Sequence, residues 1–306
     1  MSWSPLTHRR LLELRDLKDH LVSERNCAAF SCRPPSLSAH HLLPLLSPVK
    51  FDVIVVDDTV PSVELAEVPI SELAASVCFV FLWVGEGDSV DRGRQLLQEC
   101  WGCLLCEELC WIKPSSAPQE VGSLQLLRHR KEHCLLGMRG RARRSQDGHL
   151  VHCNIASDIL WDVPDPQYPR LKPASLQRLA EHLCLGRRRL HLLGEPTKGG
   201  MHPESVLRAG WVTVSPAAPP STHTFQADAF HSSLLESAPA KTDPWRADPM
   251  TTHHWNPYLL GSTEKIEELR PRTPPPGCGE SQVPKHLRTY QHRKGNRRGR
   301  SWSVQL

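Results

Sequence analysis

Apolar residues fall into two kinds of pattern along this chain. Over residues 6–25, Leu11, Leu14, Leu17 and Leu21 recur at steps of three and four, with Arg15, Asp16, Lys18 and Asp19 between them. That spacing lines one face of a helix with apolar side chains and leaves the charges to the other face. Residues 26–50 mix Ser, Pro and Leu and predict a connector. From Phe51 the pattern becomes continuous. Phe51-Asp52-Val53-Ile54-Val55-Val56 is a β-branched run ending at Asp57-Asp58, and Cys78 to Val84 is a second buried strand ending at Gly85-Glu86-Gly87. A helix is expected between Asp88 and Glu99, strands at 109–112 and 133–137, a helix from Ser175 to Leu185, and closing strands at 190–193 and 211–214. Apolar strands alternating with helices predict an α/β sheet covered on both faces. Such sheets bind ligands at the carboxyl ends of their strands, which directs attention to the loops at Asp57 and Gly85.

After Ser215 the periodicity fades into Pro, Ala, Ser, Thr and His up to Asn256, a composition expected of a disordered or draped segment. Thr263 to Arg270 predicts a short helix, stopped by Pro271 and by Pro274 to Pro276. The chain therefore divides into an N-terminal helix and connector (1–50), a main domain (51–215), an extended segment with a short helix (216–280) and a tail (281–306). The formal charge of +4 is concentrated in that tail, where Lys285, Arg288, Arg293, Lys294, Arg297, Arg298 and Arg300 meet no acid. Without them the body carries a net charge of about −3. MSWSPLTHRR lacks the apolar core of a signal peptide, and the run from Ala75 to Val84 is about half of a membrane span. These features predict a soluble intracellular chain, in cytosol or nucleus and without a membrane. Most of its 11 cysteines are then expected to be reduced and buried.

One run of cysteines invites a metal. Cys100, Cys103, Cys106 and Cys110 have the spacing that holds an iron–sulfur cluster in bacterial ferredoxins. Trp111 follows where that pattern carries Pro, no second cluster motif exists, and the run falls where a helix gives way to a strand. A helix-to-strand junction is the expected reading, and an iron–sulfur or zinc protein is an alternative. The pairs His40-His41 and His253-His254 lack the spacing that places two imidazoles on one face. No metal site is expected.

Seven stretches carry a wider resemblance: FDVIVV (51–56), FVFLWVGEG (79–87), CEELCWIK (106–113), KEHCLLGMRG (131–140), EHLCLGRRRLHLLG (181–194), GWVTV (210–214) and LLGSTEKIEELRPRTPPP (259–276). In order and spacing they resemble the RNA adenosine N6-methyltransferase family, in particular its non-catalytic subunit. The resemblance implies a Rossmann-like methyltransferase fold with an N-terminal helix and a disordered basic C-terminal tail. It also implies a nuclear location and a heterodimer with a catalytic subunit, which would itself bind AdoMet; no cofactor is expected here.

Active members of that family carry Asp-Pro-Pro and an aromatic residue at the end of the first strand. The exocyclic amine of adenine is a poor nucleophile, so oxygen acceptors must orient it towards the methyl donor while an aromatic ring holds the base out of its stack. Here the four positions are Asp57-Asp58-Thr59-Val60, with one acid kept and both prolines and the aromatic gone. Asp57 is expected to be a strand-end turn residue; a residual amine acceptor is the other reading. On the cofactor side, catalytic relatives place Arg after Phe-Gly and an Asn before a closing Pro-x-Trp. This chain has Leu193-Gly194-Glu195 and Arg208-Ala209-Gly210-Trp211.

The resemblance assigns RNA contact to Arg143 and Arg144. The tail residues Arg293, Lys294, Arg297, Arg298 and Arg300 would add salt-dependent affinity. It places Asp91, Arg94 and Asp158 at the partner interface. Leu104-Leu105 stands where the related subunit has an Arg pair, so part of a basic groove is missing. Arg187-Arg188-Arg189 suit either RNA or the C-terminus of the helix expected before them. The function implied is a pseudo-methyltransferase subunit that supports a catalytic partner and contacts RNA, with a divergent active adenine methyltransferase as the first alternative.

Overall fold

The computed structural model describes residues 5–57, 60, 65–85, 89–114, 130–142, 147–152, 156–168, 170–196, 200–238 and 256–270, leaving aside the side chains of 5–8. Residues 1–270 form one unit, and the second, 271–306, lies outside the described residues. Strand β2 (Phe51–Val56) is buried at every position because it runs parallel between β3 (Ala74–Gly85) and β7 (Arg189–Leu192). Around it lie β1 (Phe30–Cys32), β4 (Leu104–Ile112), β5 (Lys131–Arg139), β6 (Ile159–Trp161) and β8 (Trp211–Val214), in the order β1-β8-β7-β2-β3-β5-β4-β6. β5 is antiparallel to β3 and β4, and the other pairs are parallel.

Alternation along each strand feeds two cores. Ile54, Val56, Val80, Leu82, Leu190 and Val212 face one of them. That core also takes residues from α2 (Ala39–Leu46), from α3 (Ile70–Leu73) and from the π-helical turn Leu96–Cys100, which continues α4 (Ser89–Gln95). Val53, Val55, Phe81, Trp83 and Trp211 face the other core, against Leu176, Leu179 and Ala180 of α5 (Ala174–Leu183). Two-sided burial is why the strands carry unbroken apolar runs.

Helix α1 (Pro5–Arg25) buries Leu14 and Leu21 against Ile266 of α7 (Glu264–Leu269), as its spacing predicts. Lys18 departs from the prediction. It is 2% exposed and donates to the carbonyl of His182, while Asp19 accepts from His182 Nε2 at 2.9 Å. A charged stem three residues from Leu21 thus crosses to α5 and satisfies its last turn.

Three expectations are corrected. Residues 26–50 are no mere connector, because β1 pairs with β8, and Leu42 and Leu46 of α2 enter the main core. The stretch after Ser215 holds α6 (Ala227–Glu236), whose Phe230 stacks edge-on to Phe30 at 5.4 Å, with Phe225 alongside. Boundaries at 50 and 215 therefore cut through one core. Three phenylalanines far apart in sequence make these contacts, so no local period announces them. Lastly, α5 ends at Leu183, and Arg187-Arg188-Arg189 are structural. Arg187, 1% exposed, donates to Leu234 O (2.8 Å), Pro257 O (2.6 Å), Arg25 O (2.8 Å) and Ser237 Oγ (2.6 Å). It gathers the C-terminal ends of α1 and α6, where a cation is favoured. Arg188 pairs with Asp52 and lies 4.6 Å over the Tyr258 ring. Gly186 lets the chain pass Asp52, since a Cβ there would come within 2.3 Å of the Asp52 Cβ.

Two outcomes follow from this packing. Replacing Arg187 with Met strands one buried and two half-buried carbonyls and should cost about 2–4 kcal/mol in urea unfolding; a loss below about 1 kcal/mol would contradict the clamp. His191 is pushed down to about 3 by burial, with a smaller push from His202, and sits against Gln177 and Trp211. His152 is brought down to about 4 by burial, against the pull of Glu267. Both bind a proton less readily folded than unfolded. Stability should therefore fall as pH drops below about 6.5, by about 1–2 kcal/mol per histidine at pH 5. Thermal melts of His191→Gln should lose stability less steeply over this range than the wild type.

Candidate functional site

The carboxyl ends of β2, β7 and β8 form the place where a Rossmann-like sheet would hold its ligand. β2 leaves the core at Asp57, which is 1% exposed. Its N–H donates to Leu192 O at 2.9 Å, and its carbonyl accepts the Val60 N–H at 3.1 Å, closing a turn. Val60 is 2% exposed and packs into the core. Asp58 and Thr59 lie outside the described residues. The Asp57 backbone thus closes a turn and the Val60 side chain enters the core.

β7 and β8 are closed off in a similar way. Leu193 N–H donates to Val214 O at 2.9 Å. The carbonyl of Gly194 accepts from His202 Nε2 at 2.7 Å and from Ser215 Oγ at 3.0 Å. His202 and Ser215 are both buried, while Glu195 beside them is exposed. The β7–β8 loop then travels to the opposite end of the sheet. There Arg208 grips Glu181 through two bonds, Nε–Oε1 at 2.8 Å and Nη2–Oε2 at 2.7 Å, and the Trp211 indole adds a third at 2.8 Å. Burial opposes ionisation of Glu181, but the bond from Arg208 and the charges of Arg189 and Arg208 outweigh it and hold the carboxyl below its usual range. Arg208 is therefore a structural partner at the amino end of β8, remote from the carboxyl ends.

A polar cavity of ≈ 590 Å³ also lies on that amino side, between α1 and α5. Asp19, Ser175, Arg178, Glu181 and Arg208 line it, and its charges pair among themselves: Asp19 with Arg178 at 3.1 Å, Glu181 with Arg208.

Two of the predicted partner residues, Arg94 and Asp158, reach β4 from different elements. Arg94, on α4, bonds Asp91 Oδ1 at 2.9 Å and Glu108 Oε2 at 2.6 Å. Glu108 Oε1 lies 2.8 Å from His133 Nδ1. Two residues further along β4, the Cys110 N–H donates to Asp158 O at 2.8 Å. Asp91 is 82% exposed at its side chain and Asp158 is exposed. Glu108 and His133, which join the first pair to β4 and β5, carry no sequence signal; only strand register reveals them. Arg143 and Arg144 lie outside the described residues, as do Arg293, Lys294, Arg297, Arg298 and Arg300. Of their described neighbours, Arg139 donates to Trp101 O at 2.9 Å and Arg141 is exposed.

The cysteine run spans the junction expected of it. Cys100 ends the π-helical turn, Gly102 turns the chain at φ 63°, and β4 begins at Leu104. Cys103 is buried against Gly137, where burial pushes its thiol up to about 11. Cys100 and Cys106 are exposed, and Cys110 is half-buried. Among the described residues, no three His, Cys, Asp or Glu side chains gather as metal ligands. No helix among them is long and apolar enough to cross a membrane.

Comparison with known proteins agrees with this frame. Over 287 residues the chain is 32% identical to the N(6)-adenosine-methyltransferase non-catalytic subunit METTL14 of Danio rerio, covering 86% of this chain and 55% of that protein. The METTL14 subunit of Drosophila melanogaster is 32% identical over 294 residues, covering 87% of this chain and 65% of that one. The N(6)-adenosine-methyltransferase catalytic subunit METTL3 of Homo sapiens is 30% identical over 121 residues, 39% of this chain and 19% of that protein. The chain thus spans about half the length of the Danio rerio relative. Residues 50–215 match the MT-A70 family model. With the sheet, its order and these matches together, the chain belongs to the MT-A70 family.

Proposed function

We propose that this chain is a non-catalytic subunit of an RNA N6-adenosine methyltransferase complex, acting in the nucleus. On this reading it supports a catalytic MT-A70 subunit and adds RNA affinity. The observation that carries the proposal is the state of the strand ends: Asp57 is buried in a turn, and the Gly194 carbonyl is already bonded by His202 and Ser215. A sulfonium cofactor needs a cation for its carboxylate and acceptors for its ribose. The exposed charge beside Gly194 is the acid Glu195, and Arg208 is bound to Glu181 at the other end of the sheet. These residues do not fit AdoMet, so the cofactor is assigned to the partner. The naming of the METTL14 relatives as non-catalytic subunits supports the same conclusion.

Partner contact is assigned to Asp91, Arg94 and Asp158, and RNA contact to Arg143, Arg144 and the tail cations. Guanidinium groups pair bidentately with phosphates, while the tail acts through charge and loses force with salt.

Calorimetry of the isolated chain should show no saturable heat with AdoMet; 1:1 binding at micromolar concentration would overturn the cofactor assignment. Truncation after residue 280 should weaken single-stranded RNA binding and lower the salt slope by up to about five, at roughly 0.7 per phosphate neutralised. An unchanged slope would remove the tail from the RNA contact.

A further inference from the structure

Among the described residues, the outermost strand of the sheet, β6, has a neighbouring strand on one side only. It lies parallel to β4 through Cys110↔Ile159, Trp111↔Leu160 and Ile112↔Trp161. Because Asp158 O accepts from Cys110, residues 158 and 160 turn their backbone groups to β4, and Ile159 and Trp161 turn theirs outward. Among the described residues, the one partner on that outer side is Ser157 Oγ, which accepts from the Ile159 N–H at 3.1 Å. Side chains repeat the asymmetry. Leu160 is 5% exposed and packs with Trp111, whereas Ile159, Trp161 and Val163 are 49%, 67% and 73% exposed. Register sets Ile159 and Trp161 on the same sheet face as Glu108, Cys110 and Ile112, continuous with the Arg94–Glu108 pair. An open edge with a protruding Trp is a template for an added strand.

Charge decides which strand. Residues 156–168 carry Asp158, Asp162 and Asp165 and no Lys or Arg. A second copy paired antiparallel, with Ile159 opposite Trp161, would set Asp158 against Asp162 twice, and like charges directly opposite each other destabilise a pair. The edge therefore rejects itself and favours an apolar strand flanked by Lys or Arg.

We propose that β6 accepts such a basic-flanked extended segment of the catalytic MT-A70 subunit as a ninth strand, with Trp161 as its anchor. The proposal rests on the partner reading above and adds the mode of contact. Aromatic anchors dominate interfaces of this kind.

The test uses the full chain with a purified catalytic subunit, measuring Kd by calorimetry and mass by light scattering. Trp161→Ser and Val163→Ser should melt as the wild type does. Trp161→Ser should weaken the complex at least about tenfold. Asp158→Lys should also weaken it, and should make the isolated chain dimerise, because the introduced ammonium then faces Asp162 of a second copy. Unchanged Kd for both Trp161→Ser and Asp158→Lys would overturn the edge assignment and leave the partner reading standing. A wild-type chain that does not bind the catalytic subunit would overturn both.

Discussion

Burial of β2 on both faces sets the position of everything around it. Val53 and Val55 pack under α5 while Ile54 and Val56 pack towards α2 and the π-helical turn, so the strand leaves the core only at Asp57. Where it leaves, the Asp57 N–H is bonded to β7 and its carbonyl to Val60. The same parallel pairing brings Gly194 and Ser215 level with it at the ends of β7 and β8. There, among the described residues, Asp57 and Leu193 are bonded by backbone groups and the Gly194 carbonyl by the side chains of His202 and Ser215.

That arrangement moves the interest of the molecule to its surfaces. The amino end of the sheet is tied together by Arg187, Arg188 and the Glu181–Arg208–Trp211 network. The outer edge instead exposes Ile159, Trp161 and the neighbouring Asp158. The arginines of the amino end are bonded within the fold, while the side chains of the outer edge are exposed.

The sheet is legible in the sequence wherever burial on both faces produces continuous apolar runs. β8 occupies 211–214 as predicted, and β2 follows its β-branched run. β6 escapes such a reading because one face is exposed and the run Ile159-Leu160-Trp161 is only three residues long. β1 and α6 escape it for another reason: their phenylalanines meet across about 200 residues of sequence, where no periodicity connects them. At the site, the departure from Asp-Pro-Pro-aromatic, with the acid kept and both prolines and the aromatic replaced, is visible as residue identity. The closure of Gly194 by His202 and Ser215 is not, because it depends on two loops arriving at one carbonyl. For Arg187 the sequence leaves RNA and a helix C-terminus both open, and its partners are three carbonyls and a hydroxyl drawn from three distant segments.

On the proposed function, methyl transfer occurs on the partner and depends on this chain only for support. Turnover of a single-stranded adenosine-containing RNA, measured with AdoMet on the reconstituted pair, tests it most directly. With Asp57→Asn in this chain the pair should retain wild-type turnover, and the chain alone should give none. Loss of turnover in a folded, correctly paired Asp57→Asn complex, or methyl transfer by the chain alone, would contradict the account.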